Sequence, residues 1–337
     1  MVGLGYWGPN LVRNLHELPE ADVACVCDRE AGALERARRR FPSIPRHKTF
    51  ASVLANKSIE AVVIATPVAT HYDLATSALE AGQHVFVEKP LAACTEEAVE
   101  LVGLARELGL VLMAGHTFLY SPPVNMIHEL IRAGNLGEIY FISMSRVNLG
   151  IHQPDVSVVW DLGPHDISIL RYWLDENPTH VSAISRGCVI PGKPDVAFIN
   201  LEFPSGVITH VELSWLAPSK LRRTTIVGSR QMIVYEDTSH EPVRIFDSGV
   251  MFRDPESFGE YQLSYRTGDI VSPRVDAAEP LLLEMQDFCA AVRGLSTPRA
   301  SGQLGLEVVR IIEAIDRSLA QGGERIVIDP TPLAALS

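Results

Sequence analysis

Gly3-Leu4-Gly5-Tyr6-Trp7-Gly8, followed by Pro9, is the stretch that decides the first half of the fold. It has the G-x-G-x-x-G spacing, and Pro9 stands where the first turn of a helix begins, ahead of Leu11, Val12 and Leu15. Glycines here permit a tight turn and close backbone approach, so that a pyrophosphate can sit on a helix N-terminus whose amide hydrogens point outward. The spacing alone is a weak signal. Twenty residues beyond Gly8, however, Asp28 ends the apolar run 23–27, where an acid accepts hydrogen bonds from an adenosine ribose. Together they read as a site for NAD(H). Asp28 repels a 2′-phosphate, while the adjacent Arg29 keeps NADP open. A glycine turn beside a solvated loop acid is the bland alternative. Only Met1 and Val2 precede Gly3, too few for a buried central strand, which gives the expectation that the natural protein starts several residues earlier.

Outward from this turn, short apolar runs with β-branched content at 23–27, 61–65, 84–87 and 111–114 alternate with helix-period segments at 30–40, 70–81 and 95–108. That alternation predicts a doubly wound parallel sheet, a Rossmann domain over 1–118. From about Gly137 the period becomes two. Residues 140–147 alternate, Pro204-Ser205-Gly206 joins 196–203 to 207–215, and Gly228-Ser229 marks a further hairpin. The remainder, 119–337, is thus expected to be a mostly antiparallel open-sheet substrate domain, an α/β domain followed by an α+β one. Val308, Ile311, Ile312, Ile315 and Leu319 recur at helical spacing and predict a helix returning to pack on one of the two domains.

Composition limits the function. The 337 residues exceed the roughly 250–300 at which one core stops growing, which favours two domains. With 47% hydrophobic and 21% charged residues the chain reads as globular. A formal net charge of -12 disfavours nucleic acid and anionic membrane, so a small molecule is the expected partner. The five cysteines, Cys25, Cys27, Cys94, Cys188 and Cys289, are odd in number and lack metal-ligand spacing, which argues against a disulfide framework and against zinc. Cys25 and Cys27 are expected to pack as small hydrophobes. No apolar stretch has membrane-spanning length and no secretory leader is visible, which makes the cytoplasm the expected location.

Val85-Phe86-Val87-Glu88-Lys89-Pro90 puts a Glu-Lys-Pro at the exit of a predicted parallel strand. Carboxyl ends of such strands face the ligand crevice, where the Lys89 cation can stabilise an alkoxide-like oxygen. With the glycine fingerprint, Ala65-Thr66-Pro67, His71 and Trp160-Asp161-Leu162-Gly163-Pro164-His165, this Glu-Lys-Pro resembles the glucose-fructose oxidoreductase / inositol dehydrogenase / rhizopine catabolism (Gfo/Idh/MocA) family over essentially the whole chain. The resemblance implies that Lys89, Asp161 and His165 meet at a nicotinamide, with His165 as proton carrier. It also implies that Gly3, Gly5, Tyr6, Trp7, Gly8, Asp28, Thr66, Pro67, His71, Glu88, Lys89, His116 and Trp160 contact the cofactor, without a metal. Imidazole titrates near neutrality, which suits a group that accepts and returns a hydroxyl proton. Because Pro164 belongs in a first helical turn, Asp161 is expected in the turn before a helix that holds His165 and runs to Leu174. Helix capping by Asp161 beside an ordinary polar His165 is the structural alternative.

Two departures from the family pattern stand out. Gly115-His116-Thr117-Phe118-Leu119-Tyr120-Ser121-Pro122 lacks the arginine often found after the last Rossmann strand, and Asp166 directly follows His165, where Ser168 fills the usual acidic position. Asp166 is expected to favour a helix dipole. The Gly-His-Thr-Phe-Leu-Tyr and Trp-Asp-Leu-Gly-Pro-His segments resemble the branch acting on nucleotide-linked or amino sugars at the ring 3-position. The implied activity is NAD(H)-dependent transfer of a hydride to or from a sugar secondary alcohol, in a homodimer or homotetramer formed through the open sheet face. The alternatives are an NAD-assisted glycosidase that oxidises its sugar transiently, and a non-enzymatic dinucleotide-binding regulator. Arg146, Asn148, His152 and Asp155 are candidate hydroxyl or phosphate contacts, and equally candidate loop residues.

Overall fold

The computed structural model describes residues 1–150, 152, 156–252 and 263–329. Asp155 lies outside them. The chain divides into two compact units, the first containing Met1–Ser121 and Ala278–Glu313, the second Pro122–Ala277 and Ala314–Pro330.

In the first unit, helices α1 (Gly8–Glu17), α2 (Ala31–Arg40), α3 (Phe50–Leu54), α4 (His71–Glu80) and α5 (Thr95–Glu107) alternate with strands β1 (Val26–Cys27), β2 (Arg46–His47), β3 (Ala61–Ile64), β4 (His84–Glu88) and β5 (Leu112–Gly115). β1 pairs with β2, and β3, β4 and β5 pair in that order, all parallel. Val2 joins the two sheets by bridging to Cys27 on one side and Ile64 on the other. Its amide donates to Val63 O (2.8 Å) and its carbonyl accepts from Ala65 N (2.8 Å). The strand expected over 23–27 is regular only at Val26–Cys27, because its partners there are Met1 and Val2 on one side and two residues of β2 on the other. Cys25 and Cys27 are buried, and burial pushes their thiols up, as expected for packed side chains. Val85, Phe86 and Val87 are wholly buried, the continuous apolar run that a sheet covered on both faces demands. Helix α8 (Pro280–Val292) packs here through Phe288, edge-on to Phe86 at 5.8 Å.

The second unit holds a nine-stranded sheet. Its strands are β6 (Ile139–Leu149), β7 (His180–Arg186), β8 (Val196–Glu202), β9 (Ile208–Ser214), β10 (Leu216–Gly228), β11 (Met232–Glu236), β12 (Val243–Phe252), β13 (Leu263–Val271) and β14 (Ile326–Val327), in the order β13-β12-β11-β10-β6-β9-β8-β7-β14. Among the described residues, β6 and β9 are the one parallel pair in this sheet. The hairpin turn expected at Gly206 is present, with φ at +89°, a conformation that suits glycine. Thr209, Val211 and Leu213 face the core under helix α7 (Val158–Leu174), on which α6 (Pro122–Arg132) packs. The alternate positions leave Ile208, Phe141, Phe198 and Ile184 exposed on the other face. Helix α9 (Gly302–Ala320) contributes its residues through Glu313 to the first unit and the rest to the second.

Helix α7 differs from expectation. It begins at Val158, so Asp161 lies inside its first turn and Pro164 inside the helix. Proline there removes one amide donor and crowds the preceding turn. Gly163, with no Cβ to meet the proline ring, eases the helical conformation of the residue before it. Asp161 and His165 are therefore four residues apart on one helical face. Asp166 is not in the first turn either. Its Oδ2 accepts from Arg146 Nε (2.9 Å) and its Oδ1 from Arg146 Nη2 (2.7 Å), with both side chains buried. Arg146 belongs to β6, and this fork commits it to α7 instead of to a loop. Removing one partner strands a buried charge, so Asp166→Ala is expected to cost about 3–5 kcal/mol in urea unfolding. A change below about 1 kcal/mol would show that the pair does not weld α7 to the sheet.

Candidate active site

Most of the predicted residues of the first unit lie at the ends of parallel strands. Gly3 follows Val2, Asp28 follows β1, Thr66 and Pro67 follow β3, Glu88 ends β4 with Lys89 just beyond it, and His116 follows β5. This is the carboxyl edge, where an open α/β sheet receives its ligand. The three glycines differ in what they allow. A Cβ on Gly3 would stand 2.4 Å from Ala65 O, and one on Gly8 2.1 Å from Gly3 O, so both positions require glycine for the turn to close. Gly5 meets nothing within 4 Å. It leaves an open cradle beside α1, whose N-cap residue, Trp7, makes no side-chain capping bond. Tyr6 is largely exposed and stacks on Trp7 at 6.5 Å. Asp28 Oδ2 accepts from Leu4 N (2.7 Å) and Oδ1 from Glu30 N (2.8 Å), which fixes the acid against the glycine turn. An open backbone cradle, an uncapped helix start and a pinned acid fit a dinucleotide.

His71 is buried and does not face outward from this edge. Its Nδ1 lies 2.9 Å from Pro90 O and its Nε2 2.8 Å from Thr66 O, so it ties the β3 exit to the Lys89-Pro90 turn, whose peptide is cis. Both partners are acceptors, and a neutral imidazole donates to only one of them. Burial pushes its pKa down, against these two carbonyls. Burial also pushes the Glu88 carboxyl up to about 7, opposed by the Lys89 ammonium, the Lys89 amide and the Trp7 indole. His116 is buried with neither ring nitrogen hydrogen-bonded, and desolvation with the nearby Lys89 charge holds its pKa at about 3. A neutral, unsatisfied imidazole next to a lysine is a group waiting for a polar partner.

Sequence reasoning missed Glu284. It is fully buried on α8, accepts from Thr117 Oγ1 (2.7 Å), and is pushed well above the carboxylate range by burial and by Glu88. The signal was a lone acid in the apolar run Leu281-Leu282-Leu283-Glu284-Met285. Among the described residues, Cys94, Glu96 and Glu313 bring donor atoms within 4.8 Å of one another, but Glu313 already accepts from Thr95 N (3.1 Å), and acidic clusters of this kind are ordinary surface features.

The other predicted residues lie on α7 in the second unit. Trp160 Nε1 donates to Asp316 Oδ2 (2.6 Å), and Asp161 Oδ2 accepts from Trp215 Nε1 (3.2 Å). His165 is half-buried, and its carbonyl accepts from Ser168 Oγ (2.9 Å). His152 leans on the Trp215 ring at 5.2 Å and stands 3.8 Å from Asp195, a buried acid that accepts from Cys188 N and Val189 N. Asn148 is half-buried within β6.

Residues 1–116 match the oxidoreductase family with NAD-binding Rossmann fold, and residues 124–234 match the GFO/IDH/MocA C-terminal domain. Scyllo-inositol 2-dehydrogenase (NAD(+)) of Bacillus subtilis is 28% identical over 88% of this chain and 86% of its own. The 2,7-anhydro-N-acetylneuraminate hydratase of Escherichia coli is 28% identical over 63% of this chain, and the match spans 60% of that protein. UDP-N-acetylglucosamine 3-dehydrogenase of Acidithiobacillus ferrooxidans is 30% identical over 58% of each chain. Its solved structure, 22% identical as superimposed, matches with a TM-score of 0.78 over 95% of this chain and 96% of that one. No helix among the described residues is long and apolar enough to cross a membrane. The two matched regions cover most of the sequence, and the chain belongs to the GFO/IDH/MocA family of NAD(P)-dependent oxidoreductases.

Proposed function

We propose that this chain uses NAD(H) to oxidise a secondary alcohol of a sugar, or to reduce the matching ketone, and that its substrate is a nucleotide-linked or amino sugar reacting at C3. The observation that carries the reading is the carboxyl edge of the parallel strands, where the glycine turn, Asp28 and Lys89 stand beyond Val2, β1 and β4. Similarity to UDP-N-acetylglucosamine 3-dehydrogenase supports the substrate class.

In this reading the turn Gly3–Gly8, Asp28, Thr66, Pro67, Glu88 and His116 hold the dinucleotide, with Tyr6, Trp7, His71 and Trp160 around them. When bound, NAD supplies the two-electron acceptor or donor. Lys89 holds the substrate oxygen on which charge develops between alcohol and ketone. His165 takes the hydroxyl proton during oxidation and returns it during reduction, while Asp161, one turn earlier on the same helix, orients the imidazole or a neighbouring hydroxyl. His116, kept neutral, donates or accepts a hydrogen bond without adding a second positive charge beside Lys89.

Similarity to the 2,7-anhydro-N-acetylneuraminate hydratase favours one alternative, transient oxidation that drives elimination at a neighbouring carbon. Nicotinamide absorbance separates the two. With UDP-N-acetylglucosamine, scyllo-inositol and 2,7-anhydro-N-acetylneuraminate as a panel, the proposal expects NADH to accumulate with the nucleotide sugar, and product without NADH would favour the alternative. Lys89→Ala and His165→Ala are each expected to lower kcat/KM by roughly 10²- to 10⁴-fold with near-wild-type NAD+ binding. Wild-type rates in both variants would sink the assignment of roles.

Glu88 adds a pH dependence. Its folded pKa of about 7 lies above the ordinary value of 4.5. The folded chain thus holds a proton that the unfolded chain releases, and stability falls as pH rises between those two values. Glu88→Gln removes this titration. The melting-temperature difference, variant minus wild type, should therefore be larger at about pH 8 than at about pH 5.5. An equal difference at both pH values would show that Glu88 is ionised throughout.

A further inference from the structure

Trp215 occupies the single residue between β9 and β10, where the chain passes over the end of β6 from one of its neighbours to the other. Its indole is 1% exposed. Both backbone groups are fixed, the amide donating to Asp195 O (2.9 Å) and the carbonyl accepting from Gly150 N (2.9 Å). A Cβ on Gly150 would stand 2.9 Å from the indole Cδ1, so the absence of a side chain there leaves room for the ring. Buried and with its backbone fixed, Trp215 donates from Nε1–H to Asp161 Oδ2 at 3.2 Å. Trp215 is 54 residues from Asp161 in sequence, and no spacing motif connects them.

We infer that Trp215 is a positioning residue for the reaction, a rigid donor from the sheet that sets the orientation of the Asp161 carboxylate on α7. A carboxylate on the first turn of a helix has two rotatable bonds, and a buried neutral donor selects one arrangement without introducing a competing charge. The inference rests on the role given to Asp161 above. Trp215 itself is given no contact with substrate or cofactor.

The test uses Trp215→Phe, which keeps an aromatic plane and removes the donor, together with Asp161→Asn and the double variant, assayed in the full chain with NAD+ and the sugar panel. Trp215→Phe is expected to lower kcat/KM by roughly 10- to 100-fold, the worth of one hydrogen bond to a charged group. In the Asp161→Asn background the same change should cost clearly less, because the amide oxygen that remains is a neutral acceptor and the charge-assisted part of the bond is gone. Equal losses in both backgrounds, or no loss in the single variant, overturn the inference. Gly150→Ala, whose Cβ would stand 2.9 Å from the indole Cδ1 and 3.3 Å from the Asn148 side chain, is a second variant expected to show the same non-additivity with Asp161→Asn, and it serves if Trp215→Phe does not fold. Wild-type activity in Asp161→Asn, or no turnover of any sugar by the unaltered chain, would instead sink the functional reading on which the inference stands.

Discussion

The first unit depends on one steric constraint, the approach of Gly8 to the carbonyl of Gly3, where a side-chain carbon would stand 2.1 Å from the oxygen. That approach lets the backbone leave Val2 and enter α1 within six residues. Leu4 N is thereby delivered to Asp28, and Gly3 is set against Ala65 and Thr66 at the next strand exit. Strand ends that are distant in sequence become one polar edge because the turn admits no Cβ at either of its outer glycines.

Behind that edge, burial sets protonation. Glu88 and Glu284 are both raised by desolvation, and His116 is lowered by desolvation and by Lys89, so burial disfavours the charged form of all three. In the role proposed for Lys89, an ammonium beside groups that burial has made neutral would act on an incoming oxygen with little screening. In the second unit the same economy of charge takes another form, a complete two-bond fork between Arg146 and Asp166 that leaves α7 fixed to the sheet while Asp161 and His165 lie one turn apart.

Much of this was legible in the sequence where a local rule operates. The glycine spacing, the change of period from 3.6 to 2 and the Glu-Lys-Pro at a strand exit each follow from short-range chemistry, and the parallel and antiparallel sheets lie where those patterns put them. What escaped depends on pairing across long separations. Asp166 looked like a helix-dipole residue because its partner, Arg146, is 20 positions away on a strand. Trp215 looked like one more inward-facing residue of an alternating strand, and only the crossing of β6 gives its indole a target. Pro164 misled in the opposite direction, since the rule that excludes proline from helices is relaxed by Gly163 before it.

The central claim is that this chain moves two electrons and a hydrogen between a sugar carbon and NAD. Incubation of the protein with NAD+ and UDP-N-acetylglucosamine carrying deuterium at C3, followed by mass spectrometry of the recovered nicotinamide and sugar, tests it most directly. The account predicts deuterium on the reduced nicotinamide. Complete retention of the label in the sugar, with product formed at an undiminished rate, would contradict it.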